Sequence, residues 1–343
     1  MRVMREVPAG SEAPPYADLT PDVVLNALDS AGLQTSGSLL ALNSYENRVF
    51  QAGIETADGG SGFVVAKFYR PGRWSDAQIL EEHAFIAELA AAEVPAILPH
   101  TLNGRTLNTF AGFRFAVFPR RGGRAPLLDD PTVLEWIGRF LGRLHAVGRA
   151  RAFVARPKLD IDSFGREPRA WLLAHGWLPP ELRTVYEGVS QQALDEVQRA
   201  FDRAGEVAQI RLHGDVHEGN VLWYDGLTDH GPHFVDFDDA RTGPAVQDLW
   251  MLLGAERAEQ TQRLGDLLAG YEDFSEFDRR ELHLIEALRT LRLIHYSAWI
   301  ARRWSDPAFP AAFPWFDTPR YWEERILELR EQTAAMQEAP LIV

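Results

Sequence analysis

The sequence predicts an α+β, bilobal protein with a small sheet-based N-terminal lobe containing one helix, followed by a larger, mainly helical lobe. Three observations carry this. Strand-like runs bounded by turn residues fill much of residues 38–70 and 101–118. A helical period interrupts them once, between Ser75 and Val94. Past the breaker-rich "PRRGGR" at 119–124, helical spacing dominates, and strand signals return only at "NVLWYDG" and "HFVDFDD".

The elements follow in order. "LTPDVVLNALDSAGL" places Val23, Val24, Ala27 and Leu28 at helical spacing, with Thr20 as N-cap and Pro21 in the first turn. "SLLALNSYENRVFQAG" reads as two strands joined by a polar turn around Asn43–Asn47. "GFVVAKFYRPG" is a third strand, set between "DGGSG" and Pro71-Gly72. "SDAQILEEHAFIAELAAAEV" has Ile79, Phe85, Ile86 and Leu89 on one face and Ser75 as cap. "HTLNGRTLNTFAGFRFAVFP" offers two or three strands, with Asn103-Gly104 as a hairpin signal. Beyond the breaker, "DPTVLEWIGRFLGRLHAVGRA", "PAVQDLWMLLGAERAEQTQRLGDLLAGYEDF" and "DRRELHLIEALRTLRLIHYSAWIARRW" all read as helical. The aromatic, proline-studded "RRWSDPAFPAAFPWFDTPRYW" reads as core packing under a long loop, or else as a wall of the acceptor site. The expected organisation is a flexible tail over 1–18, an N-lobe over 19–118, a hinge at 119–124 and a C-lobe over 125–343, with a ligand site in the cleft between lobes.

Composition narrows the function classes. At 343 residues, with 46% hydrophobic and 24% charged residues, the chain has the make-up of an ordinary soluble globular protein. A net charge of −14 disfavours a non-specific grip on nucleic acid or anionic lipid, so neither is expected as a partner. The absence of cysteine excludes disulfides, thiolate metal sites and cysteine nucleophiles. No apolar run approaches the roughly 20 residues of a membrane span, and the N-terminus lacks the apolar core of a signal peptide. A cytoplasmic location is expected.

The chemistry concentrates in "RLHGDVHEGNVLWYDG" and the following "HFVDFDDARTGP". A zinc hydrolase would use the alternating His213, Asp215 and His217, with His230 and His233 nearby. Gly214 and Gly219 argue instead for a tight loop, and no helical His-Glu-x-x-His pair supplies further ligands. A phosphoryl transferase explains the spacing better. A hydroxyl attacking a γ-phosphoryl group needs a carboxylate that orients it and takes its proton, and oxygen ligands that hold Mg²⁺ against the phosphates. Histidine-glycine-aspartate, four residues and then asparagine set Asp215 and Asn220 at the two ends of one loop. The strands that follow return Asp236 beside it. Catalytic Asp215 and the metal ligands Asn220 and Asp236 match the arrangement of a kinase catalytic loop and its Mg²⁺-binding aspartate.

The other lobe then needs a nucleotide clamp. Lys67, mid-strand in "FVVAKFYR", would steady the α- and β-phosphates of ATP. Glu82, on the apolar side of the next helix, is preferred to Glu81 as its partner. The adenine would lie against the chain from Phe115 to Pro119, with Phe115 and Phe118 as candidate contacts. Asp248 reads as a buried carboxylate bonding the catalytic-loop backbone, and His213 as a packing residue. Arg289, Arg292 and Arg303 interrupt apolar helical faces and would form a solvated face, or meet an acidic or phosphorylated acceptor.

"LHGDVHEGN", "VDFDDA" and "GPAVQDLWMLL" resemble the aminoglycoside-phosphotransferase/choline-kinase-like superfamily. More narrowly, "LNSYENRVFQ", "KFYRPGRW", "ILEEH", "DDARTGPAVQDLWMLL" and "RRWSDPAFP" resemble the bacterial stress response kinase A family over nearly the whole chain after the tail. The resemblance implies a protein-kinase-like fold, Mg²⁺-dependent use of ATP, phosphorylation of protein serine or threonine, and a part in stress responses. It also implies Asp215 as catalytic residue, Asn220 and Asp236 as metal ligands, and Ser44 as a contact to ATP. Two features depart from ordinary protein kinases. "NSYEN" stands where a G-x-G-x-x-G loop is expected; turn N–H groups and the Ser44 hydroxyl would cradle phosphate there, or the hydroxyl would simply cap the turn. Only "ARTGP" separates Asp239 from the next element, so no activation segment or peptide platform follows. A protein acceptor is preferred, and a small alcohol of choline, homoserine or aminoglycoside type stays as the alternative.

Overall fold

The computed structural model describes residues 14–56, 59–226 and 230–343. The expected tail therefore lies outside the described residues up to position 13. The described chain forms two compact units. The first takes residues up to His83, Leu98–Arg121 and Arg302–Phe316; the second takes Ala84–Ile97, Gly122–Ala301 and Asp317–Val343.

In the first unit, α1 (Pro21–Ser30) starts where Thr20 Oγ1 accepts the Val23 N–H and Pro21 presets the first turn. It buries Val24, Ala27 and Leu28. The strands β1 (Gln34–Leu42), β2 (Arg48–Glu55) and β3 (Ser61–Phe68) precede α2 (Asp76–Ala91), which is followed by β4 (Asn108–Phe110) and β5 (Phe113–Pro119). They form one antiparallel sheet in the order β1-β2-β3-β5-β4. Strand alternation gives this sheet two distinct faces. Ala52, Val64, Ala66, Phe68, Phe113, Phe115 and Val117 pack with the buried stripe of α1. Ala116 and half-buried Phe118 pack with Tyr69 and Ile79 on the other side. Lys67 lies opposite Ala116 in the ladder and so belongs to that second face.

The turn joining β4 to β5 is Ala111-Gly112, with φ of 47° and 82°. Asn103-Gly104, the expected hairpin signal, has φ of 49° and 76° but closes only the isolated bridge Leu102–Arg105. Asn-Gly specifies a turn, not the length of the strands around it.

The second unit contains α3 (Pro131–Arg149), α4 (Glu167–Ala174) and α5 (Pro180–Ala204), the short pair β6 (Ile210–Leu212) and β9 (Arg241–Gly243), and the hairpin β7 (Val221–Asp225) and β8 (His230–Phe234). Helices α6 (Arg257–Tyr271), α7 (Ile285–Arg302) and α9 (Pro319–Ala335) complete it, while the short α8 (Ala308–Ala312) lies in the first unit. Helix α3 begins at the Asp130 cap and buries Val133, Ile137, Leu141 and Leu144 along one side. It approaches α6 closely: a Cβ on Gly138 would lie 1.9 Å from the Leu267 carbonyl oxygen.

Several expectations need correction. The stretch from Pro244 is not one helix. It makes 3₁₀ turns over Ala245–Asp248 and Trp250–Leu252, and helix resumes at Arg257, after Gly254 adopts φ +84°. The 25-residue α5 was not anticipated at all; its polar face outweighs the apolar one, and Pro179-Pro180 resembles loop until read as a helix start. The proline-studded stretch at 302–322 is also more ordered than a loop, since Pro307 and Pro319 sit at helix starts rather than inside helices.

Candidate active site

In the second unit, the loop between β6 and β7 is held by its own backbone and by one buried carboxylate. Gly214 has φ +87°, and a Cβ there would lie 2.3 Å from the Asp239 carbonyl oxygen, so glycine is required on both counts. Asp248, fully buried, accepts the His213 N–H at 2.9 Å through Oδ2 and the Gly214 N–H at 2.8 Å through Oδ1. His145 Nε2 also bonds Asp248 Oδ2 at 3.1 Å, and its Nδ1 bonds the Tyr271 hydroxyl at 2.9 Å. Gln247 Nε2 donates to the Gly214 carbonyl at 3.0 Å. Asp248 therefore ties down the His-Gly-Asp backbone, as expected.

His213 is a positioning residue. Its Nδ1 accepts the Asp215 N–H at 3.3 Å, which leaves the proton on Nε2, bonded to the Val235 carbonyl at 2.9 Å. Its ring packs on Phe237 at 4.3 Å between centroids.

Asp215 and Asn220 come together. Asn220 Nδ2 donates to the Asp215 carbonyl at 2.9 Å and lies 3.4 Å from Asp215 Oδ2. The Val235 N–H donates to the Asn220 carbonyl at 3.1 Å, which brings Asp236 beside the same loop. Asp236 is exposed and left-handed, with φ 60° and ψ 63°, a conformation uncommon outside glycine but tolerated by aspartate. Arg156, buried, clamps the segment that follows by donating to the carbonyls of Asp238 and of Ala240.

Electrostatics at Asp215 are set by opposing causes. Burial alone would raise its carboxyl. The Arg292 guanidinium, 2.7 Å from Oδ1, and His217, 3.5 Å from Oδ2, outweigh burial and hold it below the usual carboxylate range. Arg292 is thus part of the site and not merely a solvated face. Arg289 pairs with Glu286 at 3.1 Å, and Arg303 pairs with Glu46.

The donor chemistry suits a hard divalent cation. With Asn220 Nδ2 turned to Asp215, the amide oxygen is the atom left for a metal, and Asp236 adds a carboxylate. Magnesium takes one or two such oxygens, keeps waters and uses phosphate oxygens, so it needs no larger protein cage. Zinc fits poorly. Among the described residues, no group of three or more His, Cys, Asp or Glu side chains is placed to hold a metal ion.

In the first unit, Lys67 and Glu82 are both buried and stand 4.0 Å apart, Nζ to Oε1. The Lys67 ammonium also lies 5.2 Å from the centre of the Tyr69 ring. Ser44 Oγ donates to the Asn47 carbonyl at 3.0 Å, so the hydroxyl caps its own turn. Phe115 requires correction: its ring is fully buried in the α1-side core, stacked on Phe68 at 5.2 Å. The pleat sends it to the face opposite Lys67, and Phe118 alone of the two aromatics shares the lysine's face.

Sequence reasoning missed His145, Arg156 and Asp306. Arg156 stands in "FVARPKLD", where a lone arginine between an apolar run and a proline gives only a weak signal. His145 sits at helical spacing among apolar residues, which reads as packing. Asp306 contacts residues 236 and 258 positions away, and nothing local announces that.

The phosphotransferase enzyme family model matches residues 38–285. Stress response kinase A of Escherichia coli strain K12 is 44% identical over 326 residues, spanning 95% of this chain and 96% of that protein. Serine/threonine protein kinase RdoA of Salmonella typhimurium is 43% identical, with the same coverage. Among solved structures, amicoumacin kinase hAmiN in complex with AMP-PNP, Ca²⁺ and Ami superposes with a TM-score of 0.69 at 18% identity, covering 93% of this chain and 94% of that one. A microcompartment-associated aminopropanol kinase gives 0.68 at 18% identity, covering 92% and 97%. No helix among the described residues is long and apolar enough to cross a membrane. The fold is protein-kinase-like, and the chain belongs to the phosphotransferase enzyme family as a kinase homologous to stress response kinase A.

Proposed function

We propose that the chain is an ATP- and Mg²⁺-dependent kinase that phosphorylates serine or threonine hydroxyls of proteins in a bacterial stress response. The observation that carries the reading is the Asp215–Asn220 pair on one loop, with Asp236 returned beside it by the β7–β8 hairpin. Asp215 orients the acceptor hydroxyl and takes its proton. Because both carboxylate oxygens face cationic or donor groups, the acceptor must displace Arg292 or use the Oδ2 edge. Asn220 and Asp236 would hold Mg²⁺, which when bound neutralises phosphate charge. Lys67, kept extended by Glu82, meets the α- and β-phosphates, and the turn of Ser44 presents N–H groups to phosphate. Phe118, with the backbone of β5, is the candidate adenine contact.

The protein acceptor is supported by near full-length similarity to a relative named serine/threonine protein kinase. A guanidinium on the catalytic carboxylate also suits an acceptor that is not itself cationic. The second reading, a small alcohol, draws on the aminopropanol and amicoumacin kinases, which share the fold at low identity.

The test is ADP release with MgATP, first alone, then with protein or with amino-alcohol acceptors, followed by phosphoamino-acid analysis. Phosphoserine or phosphothreonine is expected, and turnover only with an amino alcohol would replace the protein reading. Asp215→Asn should lower turnover about 10²- to 10⁴-fold while AMP-PNP still binds, as calorimetry would read. Turnover within tenfold of wild type would remove Asp215 from its role.

A further inference from the structure

The turn that carries Ser44 has no glycine, yet every peptide carbonyl from Tyr45 to Asn47 is tied to a side-chain donor. Arg48 Nη1 donates to the Tyr45 carbonyl at 3.0 Å and to that of Asn47 at 3.3 Å. The Tyr16 hydroxyl shares its proton between the Glu46 and Phe68 carbonyls, each at 3.2 Å, and Ser44 Oγ reinforces Asn47. No peptide bond among the described residues is cis, and in a trans peptide the N–H points opposite to the C=O. Fixing the Tyr45 and Glu46 carbonyls therefore turns the N–H groups of Glu46 and Asn47 away from those donors, while Arg48 already pairs with Phe68 in the β2–β3 ladder. Turn amides held in this way can line an anion site.

What fixes the donors comes from far along the chain. Asp306, 2% exposed, takes Arg48 Nη2 at 3.0 and 3.1 Å on its two oxygens and Arg70 Nη1 at 2.8 Å. Arg70 in turn gives its backbone N–H to Asn47 Oδ1 at 3.1 Å. The Glu46 carboxylate is gripped by Arg70, by Arg73 and by Arg303 of the same distant segment. Tyr45 packs edge-on against Phe313, 5.0 Å between centroids. Residues 302–316 thus hold the turn at Tyr45, at Glu46 and, through Asp306, at Arg48.

We propose that Asp306 is a positioning residue for nucleotide binding: through Arg48 and Arg70 it presets the 44–48 turn as a rigid phosphate cradle, the task that a flexible glycine-rich loop performs elsewhere. This rests on the kinase reading above and adds to it a determinant outside the nucleotide-contacting residues. A turn already shaped spends little binding free energy on ordering, so the contribution appears in nucleotide affinity and not in the chemical step.

The test compares wild type with Asp306→Asn, which keeps volume and an acceptor oxygen for the Ala308 N–H that Asp306 now receives at 3.1 Å. Hydrogen exchange without nucleotide should speed about tenfold at residues 44–48 and stay within twofold at 308–316. Calorimetry should show the Kd for AMP-PNP rising about tenfold, with kcat at saturating ATP within twofold of wild type. Arg48→Ala, whose side chain is 21% exposed, should reproduce both effects should Asp306→Asn fold poorly. Unchanged exchange at 44–48, unchanged AMP-PNP affinity despite a loosened turn, or equal loosening of 308–316 would each overturn the proposal. Wild-type protein that binds no AMP-PNP would instead overturn the kinase reading, and the exchange result would still decide whether Asp306 sets the turn.

Discussion

The His-Gly-Asp loop of the second unit and the Ser44 turn of the first are each held by a buried aspartate, but the two aspartates reach their targets differently. Asp248 accepts the N–H groups of His213 and Gly214 directly, from 34 to 35 positions away. Asp306 touches no atom of the turn through Asn47; it holds Arg48 and Arg70, and these hold the turn. Direct bonds to backbone fix peptide planes, and their loss strands buried donors. A guanidinium relay has more torsional freedom and more than one cation, so its loss is partly absorbed. On the proposed reading, a loop that positions the proton-accepting carboxylate has less tolerance for displacement than a turn that meets phosphates.

The largest expected effect breaks the direct clamp. Asp248→Ala leaves the N–H groups of His213 and Gly214 and the His145 ring without their shared acceptor, in a fully buried place. Removing one partner from such a network should cost about 3–5 kcal/mol of folding stability. Urea unfolding checks this, and a loss near 1 kcal/mol would mean that water replaces the carboxylate and the clamp is dispensable.

The next effect sharpens the comparison through pH. The 3₁₀ turn that carries Asp248 is itself anchored by Glu281, fully buried, whose Oε2 accepts the Val246 N–H at 2.8 Å. Burial pushes the Glu281 carboxyl from 4.5 up to about 7; Asp278 adds to the rise, and the Val246 and Ala245 N–H groups and Arg149 oppose it. The folded state then binds more protons than the unfolded one between these values. Stability falls as pH rises from about 4.5 and levels off beyond about 7, a contribution of roughly 3 kcal/mol. Glu281→Gln keeps an acceptor for Val246 and removes the charge. Its stability relative to wild type should therefore grow from pH 5 to pH 8, measured by urea midpoints. A constant difference across that range would show that Glu281 does not titrate there.

The two clamps also differ in how far the sequence disclosed them. Thr20 and the helical stripe of α1, and the helical spacing of α3, announced their elements because the signals are local. The spacing of Asp215, Asn220 and Asp236 was legible for the same reason: one hairpin joins them. Asp248 followed from its place just after that hairpin. Asp306 lies 258 positions from Arg48, and no periodicity reaches that far. Phe115 was misjudged because an aromatic near a breaker suggests a ligand contact, whereas strand parity, which Lys67 and Ala116 reveal only once paired, sends it into the core.

The smallest effect separates the catalytic loop from the turn by their chemistry. Arg292 holds the Asp215 carboxyl down against the upward pull of burial. Arg292→Ala removes that pull, so the carboxyl rises toward what burial dictates, with His217 left as the remaining opposing group. A proton acceptor must be ionised to act, and the acid limb of kcat/KM should therefore move to higher pH, while Arg292→Lys keeps a cation and should leave the limb nearer its original place. Nucleotide affinity should not change. Arg48→Ala should do the reverse, weakening AMP-PNP binding and leaving the acid limb alone, because its guanidinium serves the turn through Asp306 and not the carboxylate. An acid limb unmoved in Arg292→Ala would mean that the guanidinium leaves Asp215 before the step that titrates. The ion pair would then belong to the resting enzyme only, as a contact that the arriving acceptor breaks.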